Sequence, residues 1–264
     1  MKNQYFGDIN DYRKYGLLRA LCGDGLSLAV CWMLTADDGS ADGRHLQYLD
    51  RPLLYRPLDP PLFDFLDEAV RGDGVRDVER IESSGLLGEA VFHRTRITDD
   101  LAQRAVFFAE ALDVARGRAL VFFDPDNGLE VKSVPPGRRG SCKYLCRAEL
   151  AAAWEAGHSL LVYQHFPRVD RRRYLRELAA ETTAALGATR LVAARTSHVA
   201  FLLLPQPAHA EQLDRGLERL RARWSAEFAI DDYVAPMLTS TGCGDGSWPG
   251  GIAICSGRRR PSPS

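Results

Sequence analysis

Short apolar runs alternate with stretches of helical periodicity along most of the chain, and this pattern constrains the fold more than any other feature. Strands are predicted at residues 26–34, 90–93, 119–124, 159–165, 190–194 and 199–204. Helices are predicted at residues 11–21, 60–70, 99–115, 148–156, 171–186 and 209–228. Strands and helices that alternate in this way are typical of α/β proteins. The sequence therefore predicts a mostly parallel central sheet with helices on both faces.

Composition limits the class of protein further. No linker divides the chain, so residues 1–256 are predicted to form one domain, and the polar end at 257–264 is predicted to be disordered. No segment approaches the roughly 20 apolar residues of a membrane helix, and the N-terminus lacks the apolar centre of a signal peptide. We therefore expect a cytoplasmic protein with reduced cysteines and no membrane partner. A formal net charge of −1 argues against a protein that coats nucleic acid through bulk charge.

The strongest candidate site follows the predicted strand at 119–124. Asp124, Asp126 and Asn127 come directly after its apolar residues, at the carboxyl end where ligands bind in open parallel sheets. Two carboxylates beside a buried strand are costly unless they have partners. We predict that Asp124 and Asn127 are catalytic and that Asp126 contacts the substrate. The alternative is a plain Asp-Asn-Gly turn in which Asp124 caps a helix.

Two later segments add polar side chains. The strand predicted at 159–165 ends in Gln164 and His165, and Arg168 follows a proline. His165 could act as a general base, a metal ligand or an orienting group, and it could also be purely structural. Lys143 precedes a predicted helix and could bind a phosphate or carboxylate there, or remain solvated. We predict catalytic roles for His165 and Lys143 and substrate contacts for Gln164 and Arg168.

The N-terminal segment and the loop after the first strand are also rich in polar groups. A helix cap at Asn10 or Asp11 explains one residue of the N-terminal cluster but not the rest. The acidic loop at 35–43 could hold a ribose or a metal, or be a solvated loop. The predicted cofactor-binding residues are Tyr5, Asp8, Asp11, Lys14, Asp37 and Asp38.

One motif has the letters of a PD…ExK nuclease, with Asp126 followed by Glu130 and Lys132. If Asn127-Gly128 closes a two-residue hairpin, Glu130 points away from Asp126, because strand side chains alternate between faces. A metal site needs its carboxylates together. The match is therefore interpreted as accidental, whereas Asp124, Asp126 and His165 form a different set that could hold Mg²⁺ or Mn²⁺.

Three segments together resemble a known family. They are residues 5–15, Asp124-Pro-Asp-Asn127 and Tyr163-Gln-His-Phe-Pro167. Their order is similar to that of class I S-adenosylmethionine-dependent methyltransferases, in particular the bacterial rRNA adenine-N6 methyltransferases. The resemblance spans about residues 5–205 and implies a Rossmann-like, methyltransferase-like sheet with S-adenosylmethionine held by the N-terminal segment. The strings FGDINDYRKYGLLR, DPDNGLE and YQHFPR also resemble those of an uncharacterised bacterial family.

Three functions remain open at this point. The first is a methyltransferase that uses S-adenosylmethionine and acts on an amino or hydroxyl group of a nucleic acid or a small molecule. The second is a metal-dependent hydrolase or nuclease that uses Asp124, Asp126 and His165. The third is a non-catalytic binding protein with a degraded cofactor site, because the loop after the first strand contains no Gly-x-Gly sequence.

Overall fold

A computed structural model describes residues 1–37, 39, 43–72 and 74–235 of the chain. The helices in this part are α1 Ile9–Cys22, α2 Pro52–Tyr55, α3 Pro60–Arg71, α4 Glu79–Ser83, α5 Leu101–Val114, α6 Arg147–Glu155, α7 Arg171–Leu186 and α8 Ala210–Trp224. The strands are β1 Leu28–Cys31, β2 Val91–His93, β3 Leu120–Phe123, β4 Gly128–Leu129, β5 Tyr144–Leu145, β6 Ser159–His165, β7 Arg190–Arg195, β8 Val199–Leu204 and β9 Ala229–Val234. The tail predicted to be disordered lies outside the described residues, and the predicted domain boundary stays a prediction.

Seven strands form one mixed sheet in the order β2-β1-β3-β6-β8-β7-β9. The first four strands in this order are parallel, β8 is antiparallel to β6 and β7, and β9 is antiparallel to β7. The predicted α/β architecture with a mostly parallel sheet is therefore confirmed. Among the described residues, no helix is both long enough and apolar enough to cross a membrane.

Apolar side chains cover both faces of the sheet because successive strand residues point in opposite directions. Val30, Trp32 and Phe122 pack on one face with α1, α3 and α8. Their neighbours along the same strands pack on the other face with α5, α6 and α7. The result is a three-layer arrangement with one core on each side of the sheet.

The winding of the sheet reverses between β1 and β3. From β1 the chain moves to β2 on one side, and it then returns to β3 on the other side of β1. The connections therefore leave a crevice outside the carboxyl ends of β1 and β3. In open α/β sheets this crevice is the usual place for a ligand.

Asn127-Gly128 does not close a two-residue hairpin, so the condition under which Glu130 was expected to point away from Asp126 is not met. Gly128 and Leu129 pair in parallel with Tyr144 and Leu145, and the Asn127 amide donates to the Lys143 carbonyl at 2.9 Å. A two-residue hairpin of type I′ needs positive φ at both central residues. Only Gly128 has one, at +120°, so the chain continues forward instead of folding back.

Candidate active site at the switch point of the sheet

A cavity of about 430 Å³ lies at this switch point. Most of the side chains predicted from sequence line it. These are Tyr5, Asp8, Asp11, Lys14, Asp124, Asp126, Asn127, Lys143 and His165. The structure thus brings together segments that are more than 100 residues apart in the chain.

Lys14 lies at the centre of the buried charges. Its Nζ donates to Oδ1 of Asp11 at 2.7 Å and to Oδ2 of Asp124 at 2.6 Å. The hydroxyl of Tyr15 donates to the second oxygen of Asp11 at 3.0 Å. Burial by itself lowers the pKa of Lys14, but the two carboxylates outweigh it and hold the pKa above its usual value. Lys14 is therefore a permanent cation that ties α1 to the end of β3.

Asp124 keeps one oxygen available. Burial raises the pKa of this carboxyl, and the nearby charge of Lys14 opposes the shift. Its backbone amide donates to the carbonyl of Cys31 at 3.1 Å, which fixes it beside the end of β1. No hydrogen-bond donor in the described part of the chain reaches Oδ1 of Asp124. This oxygen can accept a hydrogen bond from a ligand in the cavity.

Asp126 connects the end of β3 to the segment after β1. Its Oδ2 accepts from Thr35 Oγ1 at 2.9 Å, and its Oδ1 lies 2.7 Å from the amino group of Met1. Burial would raise the pKa of Asp126, but the amino group and the Thr35 hydroxyl lower it below the usual value. Asp126 is therefore ionised at neutral pH.

The acidic groups do not form a metal cluster with a third ligand. Within the residues that the structure describes, no three His, Cys, Asp or Glu side chains come together in a group able to hold a metal ion. Glu130 lines a separate cavity, where its Oε1 lies 3.9 Å from Arg147. Asp126 and Glu130 of the PD…ExK motif thus line different cavities. They are separated although no hairpin forms at Asn127-Gly128.

Gln164 is buried beneath the Asp124–Leu129 loop and is not brought to the cavity, contrary to the predicted substrate contact. Its Oε1 accepts from the Leu129 amide at 2.9 Å, and its Nε2 donates to the carbonyls of His165 and Asn127 at 2.9 and 3.3 Å. Side chains alternate along β6, so Gln164 points away from the cavity that its two neighbours line. It holds the loop in place.

His165 and Tyr163 face the cavity from β6. The Nε2 of His165 lies 3.2 Å from the Tyr163 hydroxyl, and its backbone amide donates to the Asn127 carbonyl at 3.0 Å. Desolvation by the surrounding groups lowers the pKa of His165, so the ring is neutral at pH 7. A neutral imidazole can accept a proton. Tyr163 was not predicted as a site residue, although its position two residues before His165 on a strand is the signal that it shares that face.

Three other predicted residues lie elsewhere. Arg168 is exposed and lines a neighbouring cavity with Phe166 and His198. Asp37 is exposed and accepts from the Gln4 amide at 3.2 Å, outside the main cavity. Asp38 lies outside the described residues.

The backbone beside the cavity is unusual at two positions that sequence reasoning missed. Met33, just after β1, has a left-handed φ of +48° although it is fully buried. Gly43 lines the cavity with φ +81°, and a Cβ there would lie 2.4 Å from the ring of Tyr5. Glycine adopts such a φ without strain, but the left-handed conformation of Met33 is strained, and strain of this kind concentrates at functional sites. The observation supports a functional assignment for the cavity.

Comparisons with known proteins add little to this geometry. No family model and no curated protein matches the sequence. Among solved structures, the chain is similar to protein LPL1258 from Legionella pneumophila str. Philadelphia 1, which carries the family designation DUF519. The TM-score is 0.44 at 10% identity, and the match covers 88% of this chain and 98% of that one. A likeness this distant assigns no function.

Proposed function

We propose that this chain is an S-adenosylmethionine-dependent methyltransferase that acts on an amino or hydroxyl group. The observation that carries the proposal is convergence: the three segments that resemble class I methyltransferases all line one cavity. The lining residues come from the segments 5–14, 124–127 and 163–165. The cavity lies at the switch point of the sheet, which fits a Rossmann-like, methyltransferase-like layout.

The chemistry of the lining suits this cofactor. S-adenosylmethionine has a flat base, a carboxylate and two positive charges. The cavity offers the rings of Tyr5 and Tyr163, the cation of Lys143 and the carboxylates of Asp8 and Asp124. A volume of about 430 Å³ also falls within the usual range for small-molecule sites.

In this proposal the cofactor supplies the methyl group, and the chain positions the acceptor. Oδ1 of Asp124 accepts a hydrogen bond from the acceptor's amino or hydroxyl group, which raises the electron density on the nucleophile. Asn127 orients that group, while His165 or Lys143 contacts the substrate. The N-terminal segment, held to the end of β3 by Lys14, closes one side of the cofactor site.

Calorimetry tests this proposal directly. We expect S-adenosylmethionine to bind with a Kd between about 1 μM and 1 mM, and Tyr5→Leu to weaken binding about tenfold because a stacking face is lost. Tyr174→Leu is the matched control, since Tyr174 lines a different cavity. Absence of heat at millimolar cofactor would contradict the proposal. Binding of Mg²⁺ or Mn²⁺ that disappears in an Asp124→Asn, Asp126→Asn double variant would instead support the metal-dependent alternative.

A nucleic acid is the acceptor we favour. The cavity adjoins a second one of about 640 Å³, and the two share Asn10, His45 and His165. The second cavity combines Arg51, and Arg13 in its ion pair with Glu227, with the rings of Tyr48 and Tyr55. Cationic grooves with aromatic side chains bind single-stranded nucleic acid.

A single charge reversal tests the acceptor. We expect Arg51→Glu to weaken binding of a single-stranded oligonucleotide about tenfold at about 100 mM salt and to reduce the salt dependence, because a phosphate contact in the second cavity is lost. Fluorescence anisotropy over a salt series measures both effects. The control is Arg116→Glu, which replaces an exposed arginine near the end of α5. Equal affinities for the two variants would favour a small-molecule acceptor.

A further inference from the structure

Asp8 differs from the other acidic residues of the cavity because it has no cationic partner among the described residues. Asp11 and Asp124 share Lys14, and Asp126 lies beside the amino group of Met1. For Asp8, no positively charged nitrogen of the described residues lies within 4.0 Å, although only 5% of the residue is exposed. A buried carboxylate without a counter-ion destabilises a folded protein.

The two oxygens of Asp8 have different environments. Oδ1 caps α1 by accepting from the amides of Asn10 and Asp11 at 2.8 and 3.0 Å. The cap therefore lies two residues before Asn10 and three before Asp11, the two candidates that the sequence predicted. No donor among the described residues reaches Oδ2, and Asp8 lines the cavity. The second oxygen is available to a bound molecule.

The charged groups around Asp8 do not neutralise the negative charge of its carboxylate. Burial and repulsion by Asp11 raise its pKa to about 7, and Lys14 on the same helix opposes that shift only in part. The groups that face this carboxyl from other elements are Asp124 after β3, Tyr163 on β6, Tyr48 and Arg76. Arg76 donates to the carbonyls of Phe6 and Gly43 rather than to Asp8. A costly unpaired carboxylate in a ligand cavity marks a functional group.

We propose that Asp8 is the counter-ion for a positively charged group of the ligand, and that this group replaces a proton on Asp8 when the ligand binds. The identity of the ligand rests on the proposed function. S-adenosylmethionine has two suitable groups, the sulfonium and the α-ammonium. Both would place a positive charge against Oδ2.

The first test needs no ligand. Asparagine caps helices as well as aspartate does, so Asp8→Asn removes the charge and keeps the cap. In the folded wild-type chain Asp8 is neutral at pH 5.5 and ionised at pH 8, whereas in the unfolded chain it is ionised at both. Because folding at pH 5.5 still requires Asp8 to take up a proton, we expect the variant to melt about 5 °C above wild type at pH 8 and about half as far above it at pH 5.5. Asp100→Asn, which alters the exposed N-cap of α5, is the matched control. A melting difference for Asp8→Asn that does not depend on pH would overturn the inference.

The second test compares S-adenosylmethionine with S-adenosylhomocysteine, which lacks the sulfonium charge. At pH 7 we expect Asp8→Asn to weaken S-adenosylmethionine at least tenfold. An equal loss for both compounds identifies the ammonium, and a smaller loss for S-adenosylhomocysteine identifies the sulfonium. Calorimetry in two buffers should show release of about half a proton from wild type and none from the variant. Unchanged affinity in the variant would overturn the inference and leave the proposed function intact.

Failure of the wild-type chain to bind either compound would contradict the proposed function. The counter-ion role of Asp8 is then tested with a simple organic cation. Tetramethylammonium chloride, compared with sodium chloride at pH 8, should then raise the melting temperature of wild type but not of Asp8→Asn. An equal response of the two proteins would overturn the counter-ion role.

Discussion

The Lys14→Met variant is expected to lose about 3–5 kcal/mol of unfolding free energy at pH 7.5, because two buried carboxylates lose the cation they share. Asp11 and Asp124 both bond Lys14 within 2.7 Å, and all three residues are nearly inaccessible to solvent. Methionine keeps most of the length of the lysine chain, so the loss reports mainly the missing charge. Urea unfolding followed by circular dichroism measures the difference.

The pH dependence separates this charge effect from a packing effect. The pKa of Lys14 is raised in the folded chain, so its stabilisation is complete below the ordinary lysine pKa and is lost only at higher pH. In the variant, Asp124 loses the side-chain cation bonded to it and keeps only the nearby amino group of Met1, so it takes up a proton more readily as the pH falls. We therefore expect the difference from wild type to shrink between pH 8 and pH 5.

Lys143→Met is the matched control, since it makes the same replacement at a half-buried lysine of the same cavity. No ion pair connects Lys143 to another described residue, and we expect a loss below about 1 kcal/mol. Adding Asp124→Asn to Lys14→Met should recover stability, because one of the two unpaired charges is removed. Equal losses for the two lysine variants would contradict the assigned role of Lys14.

The regular elements could be predicted because their periodicity is local. The strands predicted at 159–165 and 199–204 and the helix predicted at 171–186 have the bounds found in the structure. Strand β9 was missed because two adjacent aspartates interrupt its apolar pattern. Those aspartates bond Arg190 and Arg195 on β7, at 2.6 and 2.5 Å. Such partners become neighbours only in the folded sheet, so a local pattern does not reveal them.

The sequence could also predict that the candidate residues come together, because the carboxyl ends of parallel strands meet at one edge of a sheet. It could not predict which individual side chains face the cavity. The register of β6 in the sheet sets which of its two faces points to the cavity. Because of that register, Tyr163 lines the site and Gln164 lies beneath the loop. The start of α1 at Ile9 makes Asp8 the cap and leaves Asp11 to pair with Lys14. A shift of two residues therefore changed the role of both aspartates.

Replacing Gly128 with alanine is expected to cost about 3 kcal/mol and to weaken ligand binding. Gly128 has φ +120°, a conformation that costs a residue with a side chain about 1–3 kcal/mol. An added Cβ would also lie 2.4 Å from the amide group of Gln164. The amide cannot simply move away, because it bonds the Leu129 amide and the carbonyls of His165 and Asn127. Forced displacement of such a packed group adds about 1–3 kcal/mol.

Gly140→Ala isolates the backbone part of this cost. Gly140 has φ +87° in the same connection between β3 and α6, but no atom of the described residues lies within 4 Å of its ideal Cβ. We expect it to lose only about 1 kcal/mol and to bind ligand as wild type does, because the Asp124–Leu129 loop is undisturbed. Denaturant unfolding and calorimetry on both variants give the comparison. If the two alanine variants lose the same stability, Gln164 does not constrain Gly128. If Gly128→Ala also binds ligand normally, the position of the loop does not set the geometry of the site.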